Sequence, residues 1–245
     1  MHSQKAIIIG SGVAGMAVAI RLAVAGMQVS VYEKNAYPGG KISAFKREGY
    51  HFDAGPSLFT QPQNIEELFE LAGEKVEEYF QYEPVDTSCK YFYENGKVIN
   101  AYTDGNKFAE ELNEVAGEST TSVKRYLKRA ERLYNKVGTV FLDHSLHKRR
   151  TWLRPSIIKA LTAVRFTYLF NTLADYNKNQ FASAEARQLF NRFATYNGSN
   201  PYQAPAMLSL IPHLEQNQGT FYPKGGMISI TNALYRLAIK KGVQF

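Results

Sequence analysis

Three glycines and one acid define the first chemical possibility in this 245-residue chain. Gly10, Gly12 and Gly15 stand in the run Gly10-Ser11-Gly12-Val13-Ala14-Gly15, and Glu33 lies downstream of them. Each glycine at these offsets has a separate use. Gly10 permits a tight turn. Gly12, with Val13 and Ala14 after it, brings main-chain N–H groups up to a pyrophosphate with no side chain between. Gly15 lets a helix pack closely on a strand. Glu33 accepts hydrogen bonds from a ribose 2′-hydroxyl, and its charge repels a 2′-phosphate, which disfavours NADP.

A glycine run of this kind carries weight only if the right elements surround it. Ala6-Ile7-Ile8-Ile9 is a β-branched run that predicts a fully buried central strand. The spacing then predicts a helix through Ala17, Ile20, Arg21 and Leu22, a stop at Gly26, and a second strand from Gln28 to Glu33. The order strand, glycine turn, helix, strand, acid is that of a dinucleotide-binding βαβ unit, and the fold class expected is α/β. The uncharged stretch Ala6 to Ile20 superficially resembles a signal peptide or membrane span. Arg21 interrupts it before the roughly 20 apolar residues a span needs, and no cleavage site follows.

Further glycines extend the pattern. Glu33-Lys34 is followed by Pro38-Gly39-Gly40-Lys41, and then by Phe52-Asp53-Ala54-Gly55-Pro56-Ser57. These separated segments, in this order, resemble those of the flavin-dependent amine oxidase and carotenoid desaturase superfamily. The resemblance implies an FAD/NAD(P)-binding Rossmann-like domain with FAD as cofactor. It makes Glu33, Lys34, Gly39, Gly40 and Lys41 cofactor contacts, and places Asp53, Gly55, Pro56 and Ser57 near the flavin. Gly225-Gly226-Met227 matches the segment that returns the chain to the flavin.

Between these segments lies an expected mixed helical and β substrate region. Asn64-Ile65-Glu66-Glu67 reads as a capping box, with Asn64 as N-cap of a helix running to Gly73. Tyr91 to Ile99 reads as a hairpin turning at Asn95-Gly96. Helices are expected over Lys107–Ala116 and Ser122–Leu142, the second with an apolar stripe at Val123, Tyr126, Leu127, Ala130, Leu133 and Val137. The run from Leu189 to Pro205 resembles bacterial phytoene desaturase-type enzymes, nearer their hydroxycarotenoid 3,4-desaturase branch. Arg192 and, further on, His213 are candidate catalytic residues. For both, the competing reading is a buried polar group satisfied inside the core.

Composition narrows the function. The net charge is +7, and hydrophobic and charged residues make up 44% and 21%, as in an ordinary globular chain. From His144 to Ala174 there is no acid. The cations Lys148, Arg149, Arg150, Arg154, Lys159 and Arg165 in that stretch account for six of the seven net charges. One local basic segment argues against nucleic acid and for a local anionic partner. Ile157, Ile158, Leu161, Val164 and Tyr168 are expected on one helical face beginning near Trp152, the pattern of a helix lying on an anionic membrane surface. The single cysteine, Cys89, excludes an internal disulfide and a multi-cysteine metal site, and suits a reducing compartment. The expected location is therefore cytoplasmic with peripheral membrane contact, and no metal site is read.

A final helix carries Ile230, Ala233, Leu234, Leu237 and Ala238 on one face, and Val243-Gln244-Phe245 begins a strand too short to pair usefully. The resemblance spans the whole chain but about the N-terminal half of a family member, so a fragment lacking the C-terminal half is expected. The domains read as 1–85 (FAD-binding), 86–215 (substrate- and membrane-facing) and 216–245 (return to the FAD-binding domain). The resemblance implies dehydrogenation of a carotenoid, with hydride passing to the flavin from an allylic carbon and little acid–base apparatus needed. Another flavin oxidase of the amine oxidase or protoporphyrinogen oxidase type, and a non-catalytic remnant, stay open as alternatives.

Overall fold

A computed structural model describes residues 4–143, 148–155, 157 and 166–245 of the chain. In chain order the elements begin with β1 (Lys5–Ile9), α1 (Val13–Val24), β2 (Gln28–Tyr32), β3 (Ser43–Arg47), β4 (Tyr50–Ala54), α2 (Gln63–Leu71) and β5 (Tyr82–Pro84). Next come β6 (Thr87–Phe92), β7 (Val98–Tyr102), α3 (Gly105–Ala116) and α4 (Thr120–Asp143). The last are α5 (Phe166–Phe170), α6 (Leu173–Lys178), α7 (Ala184–Asn191), β8 (Phe221–Pro223) and α8 (Ile228–Lys240). The chain divides into two compact units, one from Met1–Val85 with Thr220–Phe245 and one from Asp86–Gly219.

The first unit holds the βαβ motif. β1 and β2 pair in parallel, with Ile9 opposite Tyr32. α1 buries Met16, Ala19 and Ile20 against Val29 and Val31 of β2, and Leu68 and Phe69 of α2 join the same core. α8 contributes Ile230, Ala233, Leu234, Leu237 and Ala238, the face expected from its spacing. β3 and β4 form an antiparallel hairpin in which Phe45 stacks on Phe52 across the strands, with ring centroids 5.2 Å apart.

Three expectations for this unit need correction. β1 is not buried on both faces: Ala6 and Ile8 pack inward, but Ile7 and Ile9 are 70% and 90% exposed. A β-branched run marks strand propensity, and burial depends on what lies on each face of the strand. The capping box does not form. The chain is already helical at Pro62 (φ −55°, ψ −30°), which puts Asn64 inside the first turn of α2 rather than before it. Finally, the short end of the chain does pair. The Val31 N–H donates to Gln244 O at 2.7 Å, and the Gln244 N–H to Val29 O at 3.0 Å, which sets Gln244 parallel to β2.

In the second unit, β6 and β7 form the expected hairpin, turning through Asn95-Gly96 with Gly96 at φ +80°. Asp104 caps α3 by accepting from the N–H groups of Asn106 and Lys107. All six stripe residues of α4 are buried. Val123, Tyr126 and Leu127 face a core of Ile99, Phe108, Leu112, Phe190 and Phe193, in which the Tyr126 hydroxyl donates to Asn177 Oδ1 at 2.8 Å, while Leu133 and Val137 belong to a separate cluster further along the helix.

Most of the proposed membrane helix, residues 158–165 with Ile158, Leu161 and Val164, lies outside the described residues. Of its apolar face, Ile157 is fully buried with Leu133, Val137 and Met207, and Tyr168 is partly buried in the same cluster. Among the described residues of the segment, the exposed large apolar side chains are Trp152, Leu153, Leu169 and Phe170, at its two ends. Among the described residues no helix is long and apolar enough to cross a membrane.

Candidate nucleotide-binding site

The site is built on the turn that leaves β1. Gly10 has φ +94°, a conformation L side chains rarely adopt, and its N–H donates to Tyr32 O at 2.7 Å, tying the turn to the end of β2. Gly15 is required by contact. A Cβ there would stand 2.1 Å from Gly10 O, so only glycine lets α1 cross the turn so closely.

Gly12 is different. Its backbone is ordinary (φ −65°, ψ 170°) and a Cβ would meet nothing within 4 Å. The fold itself does not demand glycine here, so the open space beside the backbone fits an approaching group. Behind it, α1 starts at Val13 with no side-chain cap and no acid in its first turn. Its first N–H groups, including those of Val13 and Ala14, therefore keep their partial positive charge. This arrangement fits a diphosphate.

A second loop runs against the first. The Gly39 N–H donates to Ser11 O at 2.9 Å. Gly40 has φ +61°, and a Cβ on it would come 3.2 Å from Gly12 Cα. Gly39 is hemmed in by Ile42 O and the buried Thr231, which would lie 2.5 and 3.2 Å from an added Cβ. The Gly39-Gly40 pair is thus part of a double glycine cradle, with the exposed Lys41 at its rim.

Glu33, one residue past β2, points back into this cradle. Its Oε2 accepts from both the N–H and the hydroxyl of Ser11 at 2.8 Å, and its Oε1 from the Asn35 N–H at 2.9 Å. These bonds, that from Asn35 foremost, hold its carboxyl down at about 2. A charged acceptor is therefore maintained at neutral pH where a ribose hydroxyl would arrive. Lys34, next along, is exposed. Ser11, fully buried, is the residue the motif did not single out. It lies between two of the glycines, and that position is the signal that it faces the acid.

The two later segments meet each other. Gly55 has φ +125°, and a Cβ there would lie 2.0 Å from Lys41 O, so this glycine packs on the first Gly-Gly loop. Asp53, at the end of β4, accepts from the Met227 N–H through Oδ1 and from the Tyr222 hydroxyl through Oδ2, each at 3.0 Å. Gly225 and Gly226 both have positive φ. Val13, Ile42, Pro56 and Met227, one residue from or beside each glycine segment, line a common cavity of about 270 Å³ with Ile65 and Ile230. Ser57 follows Pro56 on the exposed side of the same loop.

The two candidate catalytic residues belong to the second unit. Arg192 Nη2 donates to both oxygens of the fully buried Glu215, at 2.8 and 2.9 Å, and its guanidinium lies over the rings of Tyr91, Phe193 and Tyr196. The Tyr196 hydroxyl donates to the same carboxylate. His213 is buried, 4.9 Å ring to ring from Tyr134, with Nδ1 2.8 Å from Asn217 Nδ2; burial lowers its pKa. Arg192 also borders a cavity of about 790 Å³ between α6 and α7, which holds none of the glycine segments. Local spacing gave no hint of Glu215 as the partner of Arg192, 23 residues away.

The chain matches the model of the flavin containing amine oxidoreductase family over residues 13–245. It is 46% identical over 242 residues to a 1-hydroxycarotenoid 3,4-desaturase of a Flavobacterium species, covering 99% of this chain and 49% of that protein. It is 32% identical to a 4,4'-diaponeurosporene oxygenase of Staphylococcus haemolyticus, covering 99% and 48%. The chain thus spans about half the length of the curated relatives it matches. Among solved structures, a putrescine oxidase variant superposes with a TM-score of 0.58 at 17% identity, covering 98% of this chain and 50% of that one. Cyclohexylamine oxidase from Brevibacterium oxydans gives 0.55 at 17%, covering 100% and 51%. At these identities the structural likeness speaks to the fold.

Proposed function

Because the chain belongs to the flavin containing amine oxidoreductase family, we propose that it is the FAD-holding portion of a carotenoid dehydrogenase. Its substrate class is a hydroxylated polyene that gains one conjugated double bond. The observation that carries this reading is the 46% identity, sustained over 99% of the chain, to a 1-hydroxycarotenoid 3,4-desaturase. The double glycine cradle supports it from the side of the cofactor.

In this reading the α1 N-terminus and the Gly12 backbone hold the diphosphate, with Gly39, Gly40 and Lys41 closing on it. Glu33 takes the ribose hydroxyls, and its maintained charge disfavours a 2′-phosphate. Gly55, Pro56, Ser57, Gly225, Gly226 and Met227 shape the wall toward the ring. When bound, the flavin supplies a two-electron acceptor for C–H dehydrogenation. The protein's part is to position an apolar chain and exclude water, which asks for few acid–base groups.

Two assays test this proposal. The purified chain should bind FAD and show flavin absorbance. A family-length polypeptide containing it should convert a 1-hydroxycarotenoid to a product two hydrogens lighter in a pigment-producing cell. Bound flavin with unchanged pigment across hydroxylated and non-hydroxylated carotenoids would remove the substrate class. A product carrying new oxygen would favour the second reading, oxygenation of a carotenoid, which the 32% identity to a diaponeurosporene oxygenase brings in.

The proposal includes peripheral contact with an anionic bilayer on the cytoplasmic side, where such a substrate dissolves. Its support is the acid-free stretch from His144 to Ala174 and the exposed Trp152, Leu153, Leu169 and Phe170. Co-sedimentation with phosphatidylglycerol vesicles should be salt-sensitive; equal recovery with and without vesicles would sink it.

A further inference from the structure

We infer that Asp53 is a positioning residue, a clasp that fixes the second glycine pair and the start of α8, rather than a group that touches the cofactor. This deepens the flavin reading above and rests on it for the cofactor.

The geometry is specific. Both oxygens of the carboxylate are engaged inside the protein, Oδ1 by the Met227 N–H and Oδ2 by the Tyr222 hydroxyl, each at 3.0 Å. Tyr222 and Met227 flank the Gly225-Gly226 pair, so one side chain grips both ends of that turn. The turn is fitted to it. A Cβ on Gly226 would stand 2.7 Å from Asp53 Oδ1, and Gly226 has φ +87°, so glycine is needed for contact as well as for conformation.

Asp53 also completes a helix end. Met227 is the N-cap residue of α8, which has no side-chain cap and no acid in its first turn. A helix N-terminus is stabilised by a nearby negative charge. Asp53 supplies that charge from 174 residues away in the chain. Two residues on, Gly55 packs on Lys41 O. The segment Asp53-Ala54-Gly55 therefore holds the second Gly-Gly loop by its acid and the first by its glycine. It sets the distance between two cofactor-facing loops, with the Asp53 carboxylate itself turned into the protein rather than onto the cofactor.

The test uses the purified chain with Asp53→Ala, Asp53→Asn and Tyr222→Phe, and two readouts. Hydrogen exchange at the Met227 amide, without cofactor, reads the clasp directly. Flavin fluorescence titration reads its consequence. Asp53→Ala should speed Met227 exchange and weaken FAD binding roughly tenfold or more, the scale of one lost charge-assisted hydrogen bond. Asp53→Asn keeps the shape: its Oδ1 can accept the Met227 N–H while its Nδ2 donates to the Tyr222 oxygen. It should preserve exchange protection and bind FAD within a few-fold of wild type. Tyr222→Phe, which leaves the Met227 bond in place, should stay protected at Met227 and serves if Asp53→Ala does not fold.

Unchanged Met227 exchange in Asp53→Ala would overturn the clasp. So would an Asn variant that stays protected yet loses FAD as severely as the Ala variant, because the charge would then act on the cofactor itself. If the wild-type chain binds no flavin, the cofactor reading fails while the exchange arm still decides the clasp.

Discussion

Replacing Gly12 by alanine separates what the fold needs from what a ligand needs. In the free chain the added Cβ meets nothing within 4 Å, and φ −65° suits any residue. Restricting the unfolded chain contributes about 0.4–1 kcal/mol of stability. Alanine is a poorer N-cap than glycine by a similar amount. The net change is within about 1 kcal/mol, which for a chain of this size moves Tm by no more than about 4 °C. In the proposed FAD complex the methyl would stand between the backbone and the diphosphate. Losing two N–H bonds to an anion, each about 1.5–3 kcal/mol, predicts roughly 10²- to 10⁴-fold weaker FAD binding. Gly15→Ala is the contrast: its Cβ would lie 2.1 Å from Gly10 O, so the turn must move and stability falls by about 1–3 kcal/mol or more. Thermal unfolding and flavin titration on the same preparations read both effects. Wild-type FAD affinity in Gly12→Ala would refute the reasoning, as would a Tm loss equal to that of Gly15→Ala.

Other outcomes follow from the polar groups. Arg192→Leu takes from the fully buried Glu215 carboxylate the guanidinium bonded to both its oxygens, keeping the Tyr196 hydroxyl on it, and should cost about 3–5 kcal/mol in urea unfolding, with most of it recovered in Arg192→Leu/Glu215→Met; a stable single variant would reopen a catalytic role for Arg192. Glu33 titrates near 2 in the folded chain against an ordinary 4.5, so its stabilisation is complete above 4.5 and lost as pH falls toward 2. Glu33→Gln should flatten unfolding curves across that window, and Ser11→Ala should raise the Glu33 titration seen by NMR. His213 has its pKa lowered by burial, so the unfolded chain binds the proton more readily and stability falls as pH drops below the ordinary histidine range. His213→Gln should reduce that acid loss, and identical pH curves would show that other groups set it.

The βαβ unit was legible because each glycine obeys a local rule. Gly10 answers to its φ, Gly15 to a contact five residues back, and Glu33 to the end of a strand that periodicity locates. The stripes on α4 and α8 were legible for the same reason, since 3.6-residue periodicity states which face is buried. What the spacing hid is long-range. Asn64-x-x-Glu67 has capping-box spacing, but the helix starts from the path of the chain through Pro62. Ile7 and Ile9 have the composition of a buried strand, yet burial depends on which other segments lie against that face. The Arg192–Glu215 and Asp53–Met227 pairs join residues 23 and 174 positions apart, and no local pattern encodes them. The sequence of Ile157 and Tyr168 suggested a lipid-facing surface because packed and lipid-facing apolar stripes look alike.

β1 has a consequence beyond placing the glycine turn. Among the described residues it pairs with β2 alone, so its other edge presents a row of main-chain donors and acceptors beside Ile7 and Ile9. An exposed edge of Lys-Ala-Ile-Ile-Ile is a template for a further strand, and Lys5 is the one charge on it that discourages a chance recruit. The strand that mounts the glycine cradle is therefore also an edge onto which a further strand can add.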